Sequence, residues 1–188
     1  MATKTTPLTL LDRPNSYIGR SLSREGAKRA VAGRGRYTDD ITLPRMLHAA
    51  FVRSSYAHAK ILAVNVDEAR QQPEVALVMT GTELQELCTG PWIGTLSSFE
   101  GMKSAPQYPM AIGRACWQGE PIVMVVASSR AAAEDAAEFV TIEYEELPVV
   151  ADKETALDPE CPIIHPELGD NLAFRKVIDN GDVKQGLA

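Results

Sequence analysis

The pattern of apolar and polar positions divides the chain into short elements of alternating type. MLHAAFVRS (46–54) and AKILAVNV (59–66) are rich in apolar and β-branched residues and read as successive strands. Asp67 then caps a short helix, DEARQQ, which Pro73 stops before a third strand, EVALVMT (74–80). Thr82 with Gln85 three residues later fits a capping box, so GTELQEL (81–87) is expected to be helical. PIVMVVAS (121–128) is an almost unbroken apolar run, the signature of a strand buried on both faces. In SSRAAAEDAAEFV (128–140) serine caps precede a helix that places Ala132, Ala136 and Phe139 on one side and Arg130, Glu134 and Glu138 on another. VTIEYEEL (140–147) alternates, with Val140, Ile142 and Tyr144 inward, as a strand with one exposed face or a sheet edge does. Strand, helix and strand within about thirty residues make a βαβ unit the expected arrangement of 121–147.

The flanks and the middle are less regular. Near the N-terminus Ser23 is a candidate cap for REGAKRAVA (24–32), and Gly33 stands just past its end. In the following GRGRYTDD, Gly35 is expected to take a positive φ, and Asp39 and Asp40 to end an extended segment. From Cys88 to Cys116 periodicity is lost across a stretch long for a structureless loop in a compact domain. Its Trp92, Phe99 and Tyr108 either cover the core or line the mouth of a cavity. After Pro148, DKETAL (152–157) suggests one or two helical turns and LAFRKVI (172–178) a last strand. Gly181 and Asp182 open a helix that halts after its first turn, as expected for the front part of a longer polypeptide or for a frayed end.

Composition narrows the class. The 188 residues are 45% hydrophobic, enough for one well-cored domain with an arm. No apolar run approaches the roughly 20 residues that span a bilayer, and the N-terminus lacks a basic start followed by an apolar core, so a cytoplasmic location is expected. The net charge of −6 is unevenly spread: residues 1–36 hold eight basic and two acidic side chains, and the remainder eleven and twenty-three. A +6 arm beside a −12 body is expected either to lie along an acidic surface, its own or a partner's, or to be a solvated tail. Basic residues without interleaved aromatics, on an acidic body, argue against nucleic-acid binding.

Candidate chemistry is sparse. Cys88, Cys116 and Cys161 form no C-x-x-C pair, and His48, His58 and His165 no spaced metal set. No nucleophile elbow, Walker loop, zinc-protease motif or strand-to-helix glycine fingerprint occurs. Gly33 and Gly35 follow a helix instead of preceding one, which removes the helix N-terminus that a phosphate would need. Glu143, Glu145 and Glu146 could divide acid and base roles, but strand alternation puts Glu143 and Glu145 together on a face most simply solvated. Residue chemistry thus assigns no catalytic, cofactor-binding or metal-ligating residue.

Several segments taken in order carry a resemblance. GRGRYTDDITLPRMLHAAFVRS, YAHAKI, QGEPIVMVVASSRAAAEDAAEFVTIEYEELPVV and GDVKQGL together resemble the N-terminal region of the molybdenum-binding large subunit of the xanthine dehydrogenase and aldehyde oxidase family. Departures are Ser55-Tyr56, where a Pro-His pair is frequent, and Trp117-Gln118 before Gly119. The resemblance implies an α/β (α+β) mixed-sheet hammerhead over residues 37–170, after a basic arm with a short helix over 1–36 and before the start of a following domain at 171–188. It implies an oxidoreductase that hydroxylates heteroaromatic rings or aldehydes with oxygen from water. Its molybdenum–pterin cofactor and base glutamate lie in later domains, with [2Fe-2S] clusters and often FAD in partner chains or domains. By that resemblance the 188-residue chain is scaffold and docking surface, inactive alone, with Trp92 and Phe99 as candidate rim residues of a substrate channel. The expected partners are the remaining domains of the molybdenum subunit, an iron–sulfur subunit and an FAD subunit, with neither nucleic acid nor membrane. The alternative is a stand-alone small-molecule-binding or protein-interaction module without redox activity.

Overall fold

The structure is a computed structural model that describes residues 24, 26–88, 90, 101–175, 177, 181 and 186. The chain forms two compact units, Met1–Pro44 and Arg45–Ala188.

In the first unit a short helix, α1 (Ala27–Val31), starts after Gly26 in the left-handed conformation; the expected cap, Ser23, lies outside the described residues. Its end is well defined. Gly33, at φ +68°, donates its N–H to the Ala30 carbonyl, and Arg34 donates to that of Arg29, the paired bonds of a Schellman stop. Gly33, not Gly35, is therefore the glycine that needs a positive φ. The aspartates are turn chemistry: the Tyr37 N–H donates to the Asp40 carboxylate at 2.9 Å across a 3₁₀ turn, Thr38–Asp40.

The second unit is mixed α/β and contains two three-stranded antiparallel sheets. Its strands are β1 (His48–Arg53), β2 (Ala59–Asn65), β3 (Val75–Thr80), β4 (Arg114–Ala115), β5 (Pro121–Ala127) and β6 (Thr141–Glu146). One sheet has the order β1-β5-β3 and the other β4-β2-β6. Among the described residues three α-helices intervene: α2 (Asp67–Arg70), α3 (Gly81–Leu87) and α4 (Arg130–Ala137).

The apolar run of β5 makes it the central strand, as continuous hydrophobicity demands. Ile122, Val123, Val125 and Ala127 are buried, and the cluster around them draws Val66 from just before α2, Ala69 from α2, Val78 from β3 and Ala136 from α4. Ile61 and Val64 of β2 and Ile142 and Tyr144 of β6 pack on the same cluster, so both sheets share one core.

Because both edges of β5 are occupied by β1 and β3, β6 cannot join it. It pairs with β2 in the other sheet, and the expected βαβ unit is therefore not a parallel crossover. The alternation of β6 is as its sequence predicts, with Ile142 and Tyr144 half-buried, Glu143 and Glu145 outward, and one edge of the strand unpaired among the described residues. In α4 the Ser129 hydroxyl caps the Ala132 N–H at 3.2 Å. The stripe it buries is Ala133 and Ala136, not the expected Ala132–Ala136–Phe139; Phe139 lies beyond the helix end and is 39% exposed.

Three further expectations change. Asp67 opens α2 as its first residue, with its N–H bonded to the Asn65 side-chain oxygen, and the helix lasts a single turn. DKETAL forms turns, because the Asp152 carboxylate accepts the Glu154 N–H and competes with helix propagation. Residues 172–175 carry no strand; an N–H bond from Lys103 to the Ala173 carbonyl ties them to the irregular segment before β4. That segment is itself partly core, with Ala105, Met110 and Ala111 buried.

The junction of β3 and α3 is tight. The capping box is Thr80 with Glu83, two residues before the expected pair: the Thr80 hydroxyl accepts the Glu83 N–H, and the Glu83 carboxylate accepts the Thr80 N–H at 2.8 Å. Gly81 follows directly, and a Cβ there would stand 2.2 Å from the Ala111 carbonyl oxygen. Gly81→Ala must therefore displace backbone, at a cost of about 3 kcal/mol in urea denaturation, the upper end for overpacking. Gly90→Ala, with open space around it, changes stability little. The bond from the Thr80 N–H, first among several, holds the Glu83 carboxyl below its ordinary value of 4.5. A depressed carboxyl stabilises the fold above the unfolded pKa and loses that contribution as pH falls through the folded one. Glu83→Gln should accordingly flatten acid unfolding below about pH 4.5, as followed by circular dichroism.

Candidate functional site

The candidate channel residues Trp92 and Phe99 lie outside the described residues. Tyr108, from the same irregular stretch, lines a cleft of about 300 Å³ with Arg114, Cys116, Trp117, Glu120, His165 and Glu167. Three pieces of chain form this cleft: the coil at 106–112, the turn between β4 and β5, and the residues around the 3₁₀ turn Pro166–Leu168.

The β4–β5 turn is built by glycine and a buried acid. Gly119, at φ +86°, reverses the chain, and the Glu120 N–H returns to the Trp117 carbonyl. The turn is fastened to the end of β1 on both sides: Ser54 donates its N–H to the Glu120 carbonyl, and Gly119 donates to the Ser54 carbonyl, each at 2.9 Å. The Arg53 guanidinium adds a bond to the Gly119 carbonyl, also at 2.9 Å.

Glu120 turns its side chain inward, only 7% exposed, and its carboxylate accepts the Cys116 N–H at 2.6 Å. Burial pushes this carboxyl above its ordinary value, and backbone N–H bonds from Cys116 and Trp117 partly offset that rise. The neighbouring Cys116 thiol is pushed up to about 11, first by burial and then by the nearby Glu120 charge. It therefore stays protonated at neutral pH and is no nucleophile.

His58 is the second buried polar group. Its Nδ1 lies 2.7 Å from the Pro148 carbonyl, which makes Nδ1–H the donor and leaves Nε2 to accept from Arg114 Nη1 at 3.5 Å. With the Leu147 N–H bonded to the His58 carbonyl, the ring ties the start of β2 to the end of β6 and steadies Arg114 at the cleft wall. At the opposite wall His165 Nδ1 stands 3.5 Å from a Glu167 oxygen.

Several polar groups of the cleft wall are thus engaged: Glu120 with the Cys116 N–H, Arg114 with His58, and His165 with Glu167. Among the described residues no buried side-chain nitrogen or oxygen lacks a hydrogen-bond partner. No group of three or more His, Cys, Asp or Glu among them could hold a metal ion. Glu143 and Glu145 are not an acid/base set: they face outward, with Glu145 paired to Lys60 at 2.7 Å. Among the described residues no helix is long and apolar enough to cross a membrane.

The roles of Glu120 and His58 as internal fasteners were not legible from residue chemistry. Their only sequence signal is membership in the segments QGEP and YAHAKI that carry the resemblance.

Comparison with known proteins identifies the setting. The family model for the aldehyde oxidase and xanthine dehydrogenase a/b hammerhead domain matches residues 32–148. The large subunit of nicotine 6-hydroxylase from Paenarthrobacter nicotinovorans is 36% identical over 186 residues, which is 95% of this chain and 22% of that one. The xanthine dehydrogenase molybdenum-binding subunit of Escherichia coli O157:H7 is 33% identical across 84% of this chain and 21% of its own. The crystal structure of quinoline 2-oxidoreductase from Pseudomonas putida 86 superimposes with a TM-score of 0.72 at 40% identity, covering 84% of this chain and 20% of that one. The chain spans about a fifth of the length of these relatives.

Glu120 gives the site a measurable pH signature. With its pKa raised in the folded state, stability falls as pH rises from the unfolded value near 4.5 through the folded one. Glu120→Gln, which keeps an acceptor for Cys116, should remove that slope in urea titrations carried upward from about pH 4.5. Glu120→Ala leaves the Cys116 N–H without a partner and should cost about 1–3 kcal/mol at every pH.

Proposed function

The chain belongs to the aldehyde oxidase and xanthine dehydrogenase family through its a/b hammerhead domain, and from that premise we propose that it is the scaffold of a molybdenum-dependent hydroxylase. The oxidoreductase it serves oxidises heteroaromatic rings or aldehydes with oxygen from water. Its molybdenum–pterin group lies in the polypeptide that corresponds to the remaining four-fifths or so of the relatives. Iron–sulfur and FAD-bearing chains or domains carry the electrons away. Residues 37–170 supply the hammerhead, 1–36 a basic arm and 171–188 the approach to the next domain. Trp92 and Phe99 remain the candidates for a substrate-channel rim.

The observation that carries this reading is the internal commitment of the cleft. Its acid holds a backbone N–H, its thiol is protonated, and its histidine neighbour is locked between Pro148 and Arg114. Such groups position chain instead of moving protons to or from a substrate. A heteroaromatic substrate is favoured by the relatives named for quinoline, nicotine and xanthine.

The purified chain, assayed with quinoline, nicotine and xanthine and an artificial electron acceptor, should give no turnover. Isolated from its native source under mild conditions, it should come with molybdenum and iron–sulfur protein. Substrate oxidation by the chain alone would overturn the reading, as would a lone monomer that binds one of these ring compounds and brings no other chain with it.

A further inference from the structure

The sheet β1-β5-β3 has two apolar faces, and only one of them is in the core. On the core side Val52, Val123, Val125 and Val78 meet α4 and α2. Cross-strand register defines the other side as two ladders, Ala49–Val126–Leu77 and Phe51–Met124–Met79. None of these six residues belongs to the core cluster or packs against it. Phe51 is 43% exposed and Leu77 42%, while Met79, Met124 and Val126 are half-buried. An antiparallel sheet that meets water on one side carries polar residues there, and this side carries none within its two ladders.

The apolar character continues over the free edge of β3. Leu77 and Met79 open onto a groove bounded by Leu87 of α3, which is 71% exposed. Of the charges around this face, Arg70 is paired with Glu83 and the Arg53 guanidinium lies 5.6 Å from the centre of the Phe51 ring; Glu86 also lines the groove, and the two ladders themselves carry no charge. A partner surface that fits here is apolar and uncharged, and the two methionines allow it to be irregular in shape.

We propose that the outer face of β1-β5-β3 is the seat of the rest of a large subunit, whose apolar surface completes the sheet's second layer. The length of the relatives supports this occupant: about four-fifths of each lies outside the part this chain matches. A sheet with two apolar faces requires a layer on each, and the described residues supply one. The inference rests on the scaffold reading and names the surface through which the scaffold acts.

The test uses the nicotine 6-hydroxylase large subunit of Paenarthrobacter nicotinovorans with this chain replacing its matching segment, beside the 188-residue chain by itself. Phe51→Asp and Leu77→Asp are made separately in both. In the isolated chain each variant should shift Tm by no more than about 3 °C, because the side chain is already half in water. In the chimaera each should lower Tm by about 10 °C or more, or abolish soluble assembly. Chimaeras that tolerate both variants, or equal shifts in the two settings, would overturn the assignment of this face while leaving the scaffold reading intact. An isolated chain that sediments as a dimer, dissociated by either variant, would overturn it in favour of a second copy. A wild-type chimaera that fails to assemble counts against the scaffold reading and, with it, against this occupant.

Discussion

The second unit depends on the central place of β5. Five consecutive residues, Val123–Ala127, pair on both edges, and the core-facing side chains of the strand are almost wholly removed from water. Burying Ile122, Val123 and Val125 contributes on the order of 1.5–3 kcal/mol each, and that burial requires a layer of small side chains opposite. Ala133 and Ala136 of α4 provide it. With both neighbours of β5 fixed, β6 is diverted to β2, and the chain resolves into two antiparallel sheets around one core.

That choice also dictates how the strand is entered. The Ala111 N–H donates to the Pro121 carbonyl at 2.7 Å, and Ser54 and Gly119 exchange bonds with the turn just before it. The buried Glu120 closes the turn from inside through the Cys116 N–H. A carboxylate in this position costs desolvation, and its raised pKa expresses that cost. An amide acceptor would hold the same N–H without a charge, so the acid is not the cheapest structural solution. The backbone N–H bonds of Cys116 and Trp117 offset part of that cost.

A scaffold reading accounts for features that are otherwise awkward in a free-standing domain. Of the cleft's titratable groups, Glu120 holds a backbone N–H, and Arg114 meets His58, which itself ties two strands together. The outer sheet face is apolar where water would favour polar residues. Both follow if the hammerhead is selected for presenting a fixed shape to neighbouring polypeptide. Chemistry then needs only that the shape persist, which the core and the fastened turns secure.

Much of this was determined by local sequence. The strands at 48–53, 59–65, 75–80, 121–127 and 141–146 and the helix capped by Ser129 follow from periodicity, β-branching and capping, interactions between residues a few positions apart. Gly33 as a helix stop and Asp40 as a turn acceptor are equally local. The quoted segments also carried the family. Tertiary structure alone decided which strands pair, because the edges of β5 are filled by partners distant in sequence and β6 must go elsewhere. It alone decided that Ala133, not Ala132, is buried, since the side of α4 that meets the sheet is set by packing and not by the helix itself. The need for Gly81 arises in the same way, from the Ala111 backbone thirty residues away. So does the bond of His58 to the Pro148 carbonyl ninety residues away, whereas Glu120 closes its own turn on Cys116 four residues before it.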